Sequence, residues 1–209
     1  MIALEALAQD ALTEIFNIGV GIAADALYQM VGEHVPLSVP VIELTSQHEA
    51  KKHYLDREPR QLCAIRQTYE GEFDTDAILM FAQESSLDLV RMMAGNDLPE
   101  EELAEMAQDA MAELGNIILN AVISNLASSL KMSLEGTLPV VGVISSDTVF
   151  TSHAGEQAAG QEAAPVLALT IDFELTAKRV RGYLVFLLDE PSTSKLIERL
   201  GHYINGTTA

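Results

Sequence analysis

DALTEIFNIGVGIAADALYQMVGEHVPLSVP, residues 10–40, and DAMAELGNIILNAVISNLASSLKMSLEGTLP, residues 109–139, align without a gap at an offset of 99 residues. Asp10 matches Asp109, Ala11 matches Ala110, Glu14 matches Glu113 and Asn17 matches Asn116. Ile18 matches Ile117, Leu27 matches Leu126 and Pro40 matches Pro139, while Leu12/Met111 and Ile15/Leu114 keep apolar character. An internal repeat decides architecture before any single motif does, so the chain is read as two copies of one unit.

Each copy opens on a long helix. Taking ~100° per residue, Leu12, Ile15, Ile18, Gly19, Ile22 and Ala26 share a broad face of the first helix, expected over Leu4–Val31, with Gly32 placed to end it. The second helix is expected over Glu101–Leu130, with Met111, Leu114, Ile117, Ile118, Ala121 and Val122 facing inward. Strand-like runs follow at 37–44, 61–69 and 75–82 in the first copy, and at 137–144, 166–175 and 180–188 in the second. Cys63, Ile65, Gln67 and Tyr69 alternate with Ala64, Arg66 and Thr68, which fits a sheet with unlike faces.

The downstream segments also correspond. Leu79-Met80-Phe81 leads into Glu84 and Gly95, as Leu184-Val185-Phe186 leads into Glu190 and Gly201. Short helices are expected at 85–94 and 192–204, with Pro191 at a helix start, where proline is tolerated. Residues 46–60, holding Lys51, Lys52, Arg57 and Arg60, and residues 151–165 read as loops, the latter mobile. The junction at 96–101 is too short to separate independent units, so one fused, pseudo-symmetric sheet is expected.

Composition narrows the function classes. A chain of 209 residues can bury roughly 70% of its unfolded surface without disulfides or metal. The single cysteine, Cys63, cannot form an internal disulfide and fits a reducing compartment, as a small buried apolar residue. The amino terminus lacks the basic and apolar regions of a secretory signal, and no run approaches the ~20 apolar residues of a membrane span, so a cytoplasmic protein is expected. With 31 acidic against 12 basic side chains, the net charge of −19 repels nucleic-acid backbones and anionic membranes. The same charge steers a partner with a basic face toward the chain, and it is equally what plain solubility would give. Five histidines show no metal-ligand spacing, and Gly19 and Gly21 lie inside a helix rather than in a phosphate-binding loop.

The chemical candidates lie on one stripe. Asp10, Glu14 and Asn17, at i, i+4 and i+7, span about 60° of a helix outside the predicted apolar face. Gly21 continues that stripe and leaves room for another protein. Asn120 holds the corresponding position in the second copy, where it is a bulkier neighbour for the site. A Glu and an Asn three residues apart are usually just a solvated helix face. The pair gains weight from recurring at Glu113 and Asn116, with Asp before and Pro after at identical spacing.

In this double motif, and in the run from Glu14 to Ala24, the chain resembles the family of the chemotaxis phosphatases CheC and CheX and the flagellar-switch protein FliY. The likeness extends from about residue 4 to 204, and two motifs in one chain are the CheC-like arrangement. It implies an α/β (α+β) fold with a pseudo-two-fold internal repeat and a continuous, mostly antiparallel sheet bearing two long exposed helices. It implies a single domain over 1–209, made of repeats at about 4–98 and 103–204. The implied activity is a hydrolase of two-component signalling that removes the aspartyl-phosphate of a CheY-type response regulator in chemotaxis. The regulator supplies the phosphorylated Asp and Mg²⁺, and the chain needs no cofactor or metal of its own. The implied site residues are Glu14, Asn17, Glu113 and Asn116.

An amide both donates to and accepts from water without repelling phosphoryl oxygens, so Asn17 and Asn116 are the expected water orienters. Glu14 and Glu113 are expected to pair with a basic residue of the regulator. The alternative is a non-catalytic adaptor that binds a regulator or the receptor deamidase CheD. A flagellar-switch component is a third reading, set back by the lack of room for the further carboxy-terminal domain of that class.

Overall fold

The computed structural model describes residues 5–32, 34–57, 61–94, 99–145, 148–149, 165–174 and 179–206. In chain order these form α1 (Ala6–Val31), β1 (Leu37–Ser46), α2 (Gln47–Arg57), β2 (Gln61–Gly71), β3 (Thr75–Ala82) and α3 (Gln83–Ala94). They continue with α4 (Glu100–Leu130), β4 (Leu134–Gly136), β5 (Val140–Ser145), β6 (Pro165–Glu174), β7 (Arg179–Leu187) and α5 (Glu190–Ile204). The expected mobile loop at 151–165, apart from Pro165, and residues 96–98 of the junction between the halves lie outside the described residues.

The seven strands make one sheet in the order β1-β6-β7-β3-β2-β4, with β5 also paired to β2, and every pairing is antiparallel. At its centre Leu79 pairs with Leu184. These two residues are counterparts in the halves, so the pseudo-two-fold axis passes between them. Ile65 pairs with Leu79 as Leu169 pairs with Leu184. At the rims Leu37 faces Phe173 and Val41 faces Thr170, just as Gly136 faces Tyr69 and Val140 faces Arg66. The register therefore reproduces the sequence repeat and extends it to strands where identity has faded.

The helices α1 and α4 lie together on one face of the sheet, over a core that includes Phe16, Ile65, Leu79, Leu114, Phe173 and Phe186. They approach closely at Gly19, where a Cβ would stand 3.0 Å from the Val122 Cα, and Asn125 Nδ2 donates to the Ile15 carbonyl at 2.7 Å. Gly32 closes α1 in the left-handed region (φ 73°), its N–H donating to Tyr28 O. Lys131, its counterpart, closes α4 with the same hand (φ 54°) but without glycine.

Four local expectations change. Residues 46–60 are not all loop: β1 runs to Ser46 and α2 follows. Ser46 Oγ accepts from the Glu49 N–H at 3.2 Å as an N-cap, the Glu49 carboxylate accepts from Thr45 Oγ1 at 2.8 Å, and Ala50 is buried on the second face of the sheet among Leu62, Ala64 and Met80. Among its described side chains, at 47–53, Ala50 is the buried one, and the polar residues around it disguised the helix.

The strand expected at 137–144 is two strands. Thr137-Leu138-Pro139 separates them, where Pro139 has no N–H to continue a ladder. Pro40 lies inside β1, where the register shifts between Ser38 and Val41.

Third, Ile18 and Ile22 do not face the core; each is 48% exposed. The buried face is centred on Leu12, Ile15, Phe16, Gly19, Val20, Ala23 and Leu27. Because α1 is apolar on most sides, periodicity could not choose between the two stripes. That same composition gives 18-residue windows of Ala6–Val31 and Glu101–Leu130 enough hydropathy to cross a membrane, contrary to expectation. Half of each window is buried inside the fold, as befits helices packed on both a sheet and each other.

Candidate functional site

The rotation of α1 is set from beneath. Ile15 and Phe16 are fully buried, and Phe16 stacks on Phe186 at 5.7 Å between ring centroids. A residue pair so anchored forces its neighbours Glu14 and Asn17 to the opposite side, and both are exposed, as is Asp10. In α4 the buried Leu114, Ile118 and Leu119 do the same for Asp109 and Glu113, which are exposed, and for Asn116, which is half-buried. Gly115 stands where Phe16 stands. A Cβ there would meet Ile65 Cγ2 at 2.3 Å, so β2 fills from its own side the volume that Phe16 fills from α1.

Each pair carries a fixed amide and an open carboxylate. Among the described residues Glu14 and Glu113 make no hydrogen bond or ion pair. Asn17 Nδ2 donates to the Thr13 carbonyl at 2.9 Å, and Asn17 Oδ1 accepts from the Val39 N–H at 3.2 Å. The second bond explains the long spacing of the motif: the donor is the residue immediately before Pro40, so the helix site is tied to the strand at its irregular point. Asn116 is held differently. Its Oδ1 accepts from Asn120 Nδ2 at 2.7 Å, and Asn120 Oδ1 in turn accepts from Tyr69 Oη at 3.1 Å and Gln67 Nε2 at 3.2 Å. Sequence reasoning found the acids and amides but not Thr13, Val39, Gln67 and Tyr69 behind them. The alternation in β2 showed that Gln67 and Tyr69 share a face with Ile65, but not that this face lies under the second motif.

The surroundings suit a large partner. Ile18 and Ile22 flank the first pair, and a Cβ on Gly21 would meet nothing within 4 Å, so the fold itself does not require that glycine. Neither pair lines the cavity of about 310 Å³ beside Cys63 and Met111, nor that of about 160 Å³ beside Lys131 and His202. Cys63 is buried and its thiol is pushed above the usual range by desolvation, opposed by a hydrogen bond with Ser86; this marks it as packing. Among the described residues no three His, Cys, Asp or Glu side chains group as a metal site.

Comparison with known proteins places this geometry. The family model described as "Chemotaxis phosphatase CheX" matches residues 63–156, a span that contains Glu113, Asn116 and Asn120. The CheY-P phosphatase CheC of Bacillus subtilis is 26% identical over 195 residues, which are 92% of this chain and 93% of that one. The chain is thus similar to the CheC/CheX/FliY family in sequence and in fold.

Solved structures carry the fold of the family across lower identities. FliY of Thermotoga maritima is similar over all of both chains, with a TM-score of 0.75 and 18% identity. CheX of Borrelia burgdorferi, solved as a CheX–CheY–BeF3–Mg²⁺ complex, is similar over 85% of this chain and 99% of that one, with a TM-score of 0.51 and 16% identity. This chain combines a continuous antiparallel sheet, two long helices with outward faces, and an acid–amide pair on each face.

Proposed function

We propose that the chain is a phosphatase that hydrolyses the aspartyl-phosphate of a CheY-type response regulator in chemotaxis signalling. The observation that carries this reading is the pairing, on each exposed helix face, of an unengaged carboxylate with an amide whose orientation is already fixed. Hydrolysis of a phosphoryl group asks little covalent chemistry of the protein; it needs a water placed in line and charge matched around it. Asn17 and Asn116 each retain a free N–H and a free lone pair. The lone pair accepts a hydrogen bond from the attacking water and the N–H faces a phosphoryl oxygen. Glu14 and Glu113, one turn earlier, pair with a basic residue of the regulator and set the register of docking. Mg²⁺ belongs to the regulator in this reading, in keeping with the presence of CheY and Mg²⁺ together in the Borrelia complex.

The same reading treats 1–209 as a single domain of two repeats, at about 4–98 and 103–204, acting in the cytoplasm. The decisive experiment is the decay of a phosphorylated CheY-type regulator with Mg²⁺ present. The chain should speed it, and the Asn17→Ala/Asn116→Ala protein should return it to the intrinsic rate while keeping its thermal transition. Full activity in the double variant sinks the site assignment. Failure of the unaltered chain to speed decay of its cognate regulator turns the reading to a non-catalytic adaptor, for which co-purification with a CheD-type deamidase is the direct check.

A further inference from the structure

We propose that Asn120 is a positioning residue for Asn116, itself set by Tyr69 and Gln67 of β2, and that this support exists in the second half alone. The kinetic consequence rests on the phosphatase reading above.

The orientation of each amide follows from the one beneath it. Gln67 is 2% exposed, and its Nε2 donates to both the Thr137 carbonyl (2.7 Å) and Asn120 Oδ1 (3.2 Å), which uses both its hydrogens. Turning the Gln67 amide over would set oxygen against oxygen at both contacts. The native orientation holds although Gln67 Oε1 is itself buried without a partner among the described residues. Tyr69, also 2% exposed, brings a second donor to Asn120 Oδ1 at 3.1 Å. Burial pushes the Tyr69 phenol well above its ordinary range, so it stays protonated and able to donate. With two donors on its oxygen, Asn120 has only its Nδ2 to offer Asn116, and does so at 2.7 Å. Asn116 is thereby held oxygen-inward, with both N–H groups and one lone pair left for a partner.

The first half has no equivalent. Register places Phe173 where Tyr69 stands and Ile171 where Gln67 stands, and Gly21 replaces Asn120. There the amide is fixed by backbone groups, Thr13 O and Val39 N–H, and one of its two N–H groups is already spent.

The test uses the full chain with Asn17→Ala, so that the second site alone is read, and with Asn116→Ala as the zero. Phosphorylated regulator decay is followed to separate kcat from KM. Asn120→Gly is expected to lower kcat about tenfold, the scale of a loosened positioning group, with KM within about twofold. Tyr69→Phe, the milder change, lowers kcat by about two- to threefold. Asn120→Asp keeps both acceptor contacts but cannot donate to Asn116 Oδ1, so it fails to rescue. An unchanged kcat in Asn120→Gly, or full activity in Asn120→Asp, overturns the proposal.

A second readout is independent of activity: ¹⁵N relaxation of the Asn116 side-chain amide. Its order parameter should fall in Asn120→Gly and Tyr69→Phe, and no change in either overturns the positioning role. A fall in order without any phosphatase activity in the Asn17→Ala parent rejects the phosphatase reading of this site and supports the positioning role.

Discussion

The face bearing Glu14 and Asn17 and the face bearing Glu113 and Asn116 share their acid and amide, yet rest on different supports. Beneath the first lie the aromatic groups Phe16 and Phe186, and its amide is tied to backbone. Beneath the second, Gly115 lets Ile65 rise into the gap, and a chain of side-chain amides and a phenol runs from β2 to Asn116. The rims differ too. Val39 is buried within a continuous strand, whereas its counterpart Leu138 is 85% exposed in the break between β4 and β5. The first face is also more apolar toward solvent, since Ile22 is 48% exposed where the second half has the smaller Ala121. The lesson is that a repeat can preserve the groups that meet a partner while the means of holding them diverge, provided each solution fixes the same helix rotation.

That contrast can be broken most sharply in the core. Phe16→Ala should destabilise the chain by about 3–5 kcal/mol, the usual cost of emptying a buried aromatic site. Gly115→Ala at the matching position should cost about 1–3 kcal/mol by overpacking against Ile65. Denaturant unfolding with a shared m-value measures both, and equal tolerance at the two positions would show the supports to be interchangeable.

The amides give the next largest effect. Each single variant, Asn17→Ala or Asn116→Ala, should leave the other site working. The double variant should lose at least about 100-fold in regulator dephosphorylation, as expected for a lost positioning group. If one single variant alone removes all activity, the other site is not used.

The apolar difference is tested by Ile22→Ala. Measured in an Asn116→Ala background, it should raise KM several-fold, by about 1 kcal/mol of lost contact, and leave the thermal midpoint nearly unchanged. The cap residues give the smallest effect. Gly32→Ala should cost about 1 kcal/mol, because a Cβ is disfavoured in the left-handed region, and Lys131→Gly should be neutral or slightly stabilising. Thermal unfolding compares the two.

Much of the fold could be read from the chain. The 99-residue offset fixed two equivalent helix–strand units, and the register at Leu79 and Leu184 agrees with it. The candidate acids and amides were equally legible, because they recur at identical spacing and fall outside the buried face. The misreadings have distinct causes. Ile18 and Ile22 were misplaced because α1 is apolar around most of its circumference, and hydropathy alone does not say which side meets the sheet. The helix α2 was missed although Ser46 caps it by accepting from the Glu49 N–H, since Ala50, the one buried residue among its described side chains, leaves almost no periodic signal. Gln67 and Tyr69 were placed on the correct face of β2, but their link to Asn120 spans more than fifty residues.

The sequence by itself determined that this protein is a duplicated helix-and-sheet unit with an acid and an amide displayed twice, because duplication leaves spacing intact and helical geometry turns spacing into a shared face. Only the tertiary structure decided how each amide is aimed. That depends on which strand passes beneath each helix and which donors it carries there: a backbone N–H at Val39 in one half, and the side chains of Gln67 and Tyr69 in the other.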